Sequence, residues 1–202
     1  MHKCFNNRFE GLRVMVTGHT GFKGSWLSMW LHELGATVIG YSLDPPTTPS
    51  NFALCQLDQR ITHIQGDVCD QKKFHDVLTT HKPDIVFHLA AQPIVLDSYK
   101  QPFRTYQDNV MGTASVLEGI RRAPSVKVFV GITSDKVYKD QNWDWGYREN
   151  DPLGGYDPYS SSKALTELLI ASYRNSWRQQ WQEDSEIVSF ADSNVSIASV
   201  RA

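Results

Sequence analysis

An α/β fold, doubly wound around a mainly parallel sheet, is what this sequence predicts, and two observations carry the prediction. Short apolar runs of β type alternate with segments whose apolar residues recur at helical spacing. Between the first run and the first helical segment, in "VMVTGHTGFKGSWLSMWL", three glycines stand three residues apart at Gly18, Gly21 and Gly24, the punctuation of a strand-to-helix turn.

Val14, Met15 and Val16 form a short buried run, so the first strand is expected over 13–17. Trp26, Leu27, Trp30, Leu31 and Leu34 repeat with a helical period and predict a helix over 25–34. Strands follow over 37–41 and 61–65, a helix over 71–80, and a strand over 85–89. A helix over 106–122, a strand over 127–132, a helix over 159–181 and a strand over 195–200 complete the series. Strands separated by helices pair in parallel, with helices on both faces of the sheet. Two stretches interrupt the pattern: a proline-rich loop over 44–51 and a polar, aromatic loop over 139–158. The second carries two Trp and two Tyr, which disfavours disorder and suits a substrate-facing loop.

With 202 residues, 41% hydrophobic and 21% charged, the chain is long enough for one sizeable core, and a single domain is expected over 1–202. The net charge of −2 is spread over interspersed charges, so no basic footprint for nucleic acid or an anionic membrane is present. Cys4, Cys55 and Cys69 are odd in number and not closely spaced, which speaks against a disulfide framework and against a metal site. No run approaches the roughly 20 apolar residues of a membrane span, and the N-terminal stretch lacks a signal-peptide core. A small-molecule partner and a reducing, cytoplasmic setting are expected.

The chemistry-bearing residues gather where the predicted strands end. A strand, the glycine turn and a helix together aim backbone N–H groups and the positive helix end at an anion such as a dinucleotide pyrophosphate. The same spacing also suits a plain tight turn. Asp44, 20 residues beyond Gly24, sits where a carboxylate accepts from an adenosine ribose and repels a 2′-phosphate, or simply turns the chain before Pro45. Lys23 serves either a phosphate or solvent. Asp67 follows the third strand, and Ala90 and Ala91 in "HLAAQ" let backbone approach a cofactor or serve packing alone. In "PYSSSK", Tyr159 and Lys163 are four apart and share a helix face, where an ammonium favours a phenolate and equips the tyrosine as a base. "ITSDK" leaves Ser134, Asp135 and Lys136 at the carboxyl edge of the sheet.

"TGHTGFKG", "HLAAQP", "NVMGT", "TSDK", "WGYREN" and "GGYDPYSSSK" together resemble the extended short-chain dehydrogenase/reductase family, in its nucleotide-sugar dehydratase branch, over nearly the whole chain. The resemblance implies a Rossmann-type domain that binds NAD through Gly18, His19, Thr20, Gly21, Phe22, Lys23 and Gly24. Asp44, Asp67 and Val68, then Leu89, Ala90, Ala91, Gln92 and Asn109, complete that set with Tyr159 and Lys163. It implies CDP-glucose as partner and a catalytic group of Ser134, Asp135, Lys136, Tyr159 and Lys163. Tyr159 would take the 4-hydroxyl proton, Ser134 hold the 4-oxygen, and Asp135 protonate the hydroxyl lost from C6. Lys136 stands where the dTDP-glucose dehydratases of the family have glutamate, which narrows the sugar nucleotide. Leu96 and Asp97 replace an expected arginine, and Ser161 an expected asparagine. The family continues past "SIASVRA" into a substrate-binding domain, so that domain is expected to be largely absent from these residues, and homo-oligomers are common in it. Two other readings remain open: a nucleotide-sugar epimerase, which needs no acid at Asp135, and a non-catalytic NAD-binding protein.

Overall fold

Val14, Met15 and Val16 lose all contact with water because β1 (Arg13–Thr17) runs through the middle of the sheet. The computed structural model describes residues 4–176 and 195–202. Six strands, β1, β2 (Thr37–Ser42), β3 (Thr62–Gln65), β4 (Ile85–His88), β5 (Val128–Thr133) and β6 (Ser196–Arg201), pair in the order β3-β2-β1-β4-β5-β6. Every pairing is parallel. The chain winds outward from β1 to β3, returns to the centre, and winds the other way from β4 to β6. The reversal lies between β1 and β4, where Thr17 is level with His88. A crevice opens outside the carboxyl ends of strands at such a reversal.

Side chains alternate across a strand, so β1 feeds two cores. Met15 joins Phe74, Leu117, Ile120, Phe129 and Ile170 on one face. Val14 and Val16 join Leu31, Val38 and Ile61 on the other. The first core is covered by α3 (Gln71–His81), α6 (Gly112–Arg121) and α7 (Pro158–Ser176), and the second by α1 (Phe22–Glu33).

Four departures from the sequence reading have local causes. Helix α1 starts at Phe22, three residues before the expected start at Ser25, because the glycine turn passes directly into the helix with Gly21 as its N-cap. Its buried face is Gly24, Ser25, Ser28 and Leu31, while Trp26 and Trp30 are about half exposed. Small residues face inward because the helix lies almost on the turn: a Cβ on Gly24 would sit 2.1 Å from the Gly18 carbonyl oxygen. Short helices α2 (Asn51–Leu54), α4 (Val95–Lys100) and α5 (Pro102–Tyr106) were not anticipated. Leu96, Tyr99 and Phe103 are largely exposed, so 95–106 has no buried apolar face for the sequence to display. The expected helix over 106–122 is α6 preceded by a π turn, Gln107–Met111. Of the helix expected over 159–181, residues after Ser176 lie outside the described residues.

The long loop after β5 is ordered by its own aromatics. Tyr138 stacks on Tyr147 with ring centres 4.7 Å apart and planes 9° from parallel, and Tyr138 also bridges to Leu153. Among the described residues no helix is long and apolar enough to cross a membrane.

The closeness of α1 to its turn yields a stability prediction. Gly24→Ala should cost at least about 1–3 kcal/mol in urea unfolding, since backbone rather than a flexible side chain must yield. Gly146→Ala, whose added carbon meets nothing within 4 Å, should lie within about 0.5 kcal/mol of the parent. Equal stability of the two variants would contradict the packing.

Candidate functional site

The glycine turn is shaped by contacts at two of its glycines and left open at the third. Gly18 has φ +74°, and a Cβ there would come within 2.7 Å of the Ala90 backbone nitrogen, so β1 and β4 approach with no room for a side chain. Gly24 is excluded by Gly18 in the same way. A Cβ on Gly21 would meet only the Gly18 oxygen, at 3.3 Å. Gly21 also offers no side-chain cap to the first N–H groups of α1, and such groups lack an acceptor within the helix. An open backbone cradle at a helix N-terminus fits the pyrophosphate of a dinucleotide. Thr20 is buried, donates from Oγ1 to the Leu43 carbonyl at 2.9 Å and pairs with Ser42 Oγ at 2.8 Å. The turn is thereby fastened to the end of β2, two residues before the exposed Asp44.

Not every residue of the turn faces that cradle. The His19 ring packs inward over Gly40 and pairs through Nε2 with His63 Nδ1 at 2.7 Å. Burial, then the neighbouring His63, lowers its pKa to about 4. Val68 belongs to the main core, against Gly112. Asp67 is exposed; its Oδ1 accepts from the Cys69 N–H at 2.8 Å and its carbonyl from the Tyr41 hydroxyl.

Under the crevice lies a chain of hydrogen bonds whose direction can be read. Thr17 Oγ1 accepts from the N–H groups of Leu89 and Ala90, both at 3.2 Å, so its own proton goes to His88 Nδ1 at 2.7 Å. His88 must then carry its proton on Nε2, which donates to Thr113 Oγ1 at 3.0 Å. Thr113 in turn donates to the Asn109 carbonyl at 2.6 Å. Burial, then the charge of Lys163, lowers the His88 pKa to about 3. The ring is neutral and has one tautomer.

Asn109, in the π turn, joins the two halves of the site. Its Oδ1 accepts from the Gln92 N–H at 2.7 Å, and its Nδ2 donates to the Gln92 carbonyl at 3.1 Å and to Ser162 Oγ at 2.8 Å. The segment after β4, with Leu89, Ala90, Ala91 and Gln92, is thus tied to the helix that carries Tyr159 and Lys163. Lys163 is 6% exposed and donates from Nζ to the Ile132 carbonyl at 3.2 Å. Burial, then Lys23 across the crevice, lowers its pKa to about 8, so at neutral pH it keeps its charge. Tyr159 is half-buried one turn earlier on the same face.

At the end of β5, Ser134 is buried, donates to Asp135 Oδ1 at 3.0 Å and accepts from the Lys136 N–H at 3.3 Å. It caps a short 3-10 turn, Asp135–Val137, on which Asp135 and Lys136 are exposed. Ser134, Asp135, Lys136, Tyr159, Lys163 and the glycine turn therefore lie along the same carboxyl edge of the sheet. Leu96 and Asp97 lie on the surface, the latter paired with Lys100 at 3.3 Å. The Ser161 N–H donates to the Asp157 carbonyl at 2.9 Å in the first turn of α7.

Sequence reasoning missed Thr17, Thr113, Glu167 and Arg201. Glu167 is 5% exposed and accepts from Thr133 Oγ1 at 2.5 Å and from Ser199 Oγ at 2.9 Å. Arg201 pairs with it, Nε to Oε1, at 3.3 Å. Burial alone would raise the Glu167 pKa, but the bonds from Thr133, Arg201 and Ser199 outweigh it and hold the carboxyl below its ordinary value. The spacing 159, 163, 167 on one helix face was the available signal.

Comparison with known proteins identifies the family. The family model for GDP-mannose 4,6 dehydratase matches residues 15–181. The chain is 50% identical over 196 residues to CDP-glucose 4,6-dehydratase of Salmonella typhimurium, covering 97% of this chain and 53% of that protein. It is 33% identical over 170 residues to human dTDP-D-glucose 4,6-dehydratase, covering 83% of this chain and 47% of the relative. Among solved structures, UDP-glucose-4-epimerase from Stenotrophomonas maltophila, with bound NAD and formylated UDP-arabinopyranose, has a TM-score of 0.75 at 25% identity. That match covers 94% of this chain and 52% of the epimerase. MoeE5 in complex with UDP-glucuronic acid and NAD has a TM-score of 0.70 at 28% identity, covering 94% and 54%. The chain spans about half the length of the curated relatives it matches.

The two buried neutral histidines set a pH dependence. The unfolded chain protonates both near pH 6.5, whereas the native state resists until about pH 4 at His19 and about pH 3 at His88. Over that window the unfolded state binds more protons, so stability falls as pH falls. Urea unfolding at pH 5 should give about 2–4 kcal/mol less stability than at pH 7, at 1.4 kcal/mol per unit for each ring. Equal stability at the two pH values would show that neither ring is held neutral.

Proposed function

The chain belongs to the GDP-mannose 4,6-dehydratase family, and on that premise we propose that it is the NAD-binding, catalytic-residue-bearing part of a CDP-glucose 4,6-dehydratase. One observation carries the reading: the open glycine cradle, the Tyr159/Lys163 pair and the Ser134–Asp135–Lys136 group converge on a single sheet edge. The 50% identity to the Salmonella enzyme supports CDP-glucose as the sugar nucleotide.

In this reading the backbone of 18–24 and the N–H groups of α1 hold the cofactor pyrophosphate, with Lys23 beside it and the Asp44 carboxylate accepting from the ribose. Leu89, Ala90, Ala91 and Gln92 form the opposite wall, fixed by Asn109. Asp67 and the backbone at Val68 border the adenine end. When bound, the nicotinamide supplies a hydride acceptor for C4 of the sugar and returns the hydride at C6. Tyr159 accepts the 4-hydroxyl proton, and the fixed Lys163 ammonium stabilises the phenolate. Ser134 donates to the 4-oxygen as it becomes a carbonyl. The new ketone acidifies the proton on C5, and Lys136 is the neighbouring group available to take it and to return a proton to C5 when the hydride is restored at C6. Asp135 gives its proton to the C6 hydroxyl, which leaves as water. The product is CDP-4-dehydro-6-deoxyglucose, and the reaction is redox-neutral. Cys55 and Cys69 are free thiols, in keeping with a cytoplasmic setting.

Mass spectrometry of CDP-glucose incubated with NAD and an enzyme of the full length of the relatives should show loss of one water, whereas residues 1–202 alone should turn it over negligibly, because the reacting hydroxyl is not positioned. In the full-length enzyme Tyr159→Phe should cut turnover by about 10² or more. Asp135→Asn should still oxidise C4 but dehydrate slowly, so absorbance of reduced cofactor accumulates. If Asp135→Asn abolishes hydride transfer as fully as Tyr159→Phe does, the separate acid role is wrong.

Cofactor choice rests on Asp44. Calorimetric titration should show NAD binding at least about tenfold more tightly than NADP, because a 2′-phosphate meets a carboxylate. A preference for NADP would remove Asp44 from the ribose site.

A further inference from the structure

We propose that Glu167 is a positioning residue of this site, which acts through Thr133 to lock the end of β5 against α7. The inference rests on the reading of Ser134, Tyr159 and Lys163 as the reacting group.

The geometry is a double grip. Two residues one turn apart on α7, Lys163 and Glu167, hold two consecutive residues of β5. Lys163 Nζ donates to the Ile132 carbonyl at 3.2 Å, and Thr133 Oγ1 donates to Glu167 Oε1 at 2.5 Å. The next residue along the strand is Ser134. One bond therefore fixes where the Lys163 ammonium lies, one helical turn from Tyr159, and the other fixes where Ser134 and Asp135 emerge. Neither Ile132 nor Thr133 can slide along α7 without breaking a buried bond.

Glu167 can serve this purpose because it is secured from the far side as well. Ser199 donates to its Oε2 at 2.9 Å, and Arg201 pairs with both of its oxygens, at 3.3 and 3.4 Å. Arg201 in turn donates to the Tyr138 hydroxyl at 2.5 Å and pairs with Glu149 at 3.0 Å. The carboxylate is thus braced between β5, β6 and the aromatic loop. A buried carboxylate is costly unless paired in this manner, and a plain packing role on this face would be met by an apolar residue.

The decisive variant is Thr133→Val, which removes the β5 bond but leaves Glu167 paired with Arg201 and Ser199. Glu167→Ala also strips Arg201 of its buried partner and endangers the whole fold. Thr133→Ser keeps the hydroxyl and serves as the rescue. Two measurements are made on the NAD-loaded full-length enzyme: amide hydrogen exchange of the peptide covering 133–138, and the rate of nicotinamide reduction on adding CDP-glucose. Thr133→Val should speed exchange in that peptide about tenfold and slow reduction on the order of tenfold or more, because small displacements of reacting groups are costly. Its KM for CDP-glucose should stay within about threefold, and Thr133→Ser should restore both readouts. Unchanged exchange at 133–138, or faster exchange with an unchanged reduction rate, overturns the proposal. If the full-length parent enzyme does not oxidise CDP-glucose, the dehydratase reading fails instead, and the exchange measurement alone decides whether the grip exists.

Discussion

His88 is buried, with 3% of its surface exposed, and the site is built around that constraint. A buried imidazole needs a donor for one nitrogen and an acceptor for the other, and Thr17 and Thr113 provide them from two different elements. Because Thr17 already accepts from the N–H groups of Leu89 and Ala90, the order of donors along the chain has no freedom. The carboxyl ends of β1 and β4, the helix α6 and the π turn are therefore locked together by one directed chain of bonds. Reversal of any link would leave a buried polar atom unpaired, at about 1–3 kcal/mol.

The neutrality of that ring also shapes the electrostatics above it. Lys163 is buried beside it and already meets the charge of Lys23. A protonated His88 would add a third cation to the same small volume. By staying neutral it lets Lys163 keep its charge at neutral pH despite burial, so a cation stands one helical turn from Tyr159. The same economy appears at the glycine turn, where close backbone approach at Gly18 and Gly24 brings the N-terminus of α1 to the crevice and leaves Gly21 open.

Cross-links hold these parts at fixed distances. Asn109 uses its amide to tie Gln92 to Ser162, so the wall after β4 moves with α7. Thr20 ties the glycine turn to the end of β2. The π turn is what presents Asn109: a regular helix through Gln107–Met111 would rotate the residues that follow relative to those before. Its polar side chain then meets partners on both sides, with 1% of its surface exposed.

By itself the sequence determined the alternation of strands and helices, the glycine turn, and the sharing of one helix face by Tyr159 and Lys163. Each of these is written in residues a few positions apart, so local spacing suffices. The tertiary structure decided the rest. The apolar repeat at Trp26 and Trp30 suggested a buried face for α1, yet Gly24, Ser25 and Ser28, with Leu31, face inward in their place, because the limit is how near the helix can come to its turn. The exposed apolar residues of 95–106 concealed two helices for a related reason: a pattern marks a helix only when one of its faces is buried. His88 pairs with a threonine 71 positions away, Asn109 with a serine 53 away, and Glu167 with a threonine 34 away. No local pattern encodes such pairs, since a tautomer, a cross-link or a buried ion pair exists only once the sheet has brought its strand ends together.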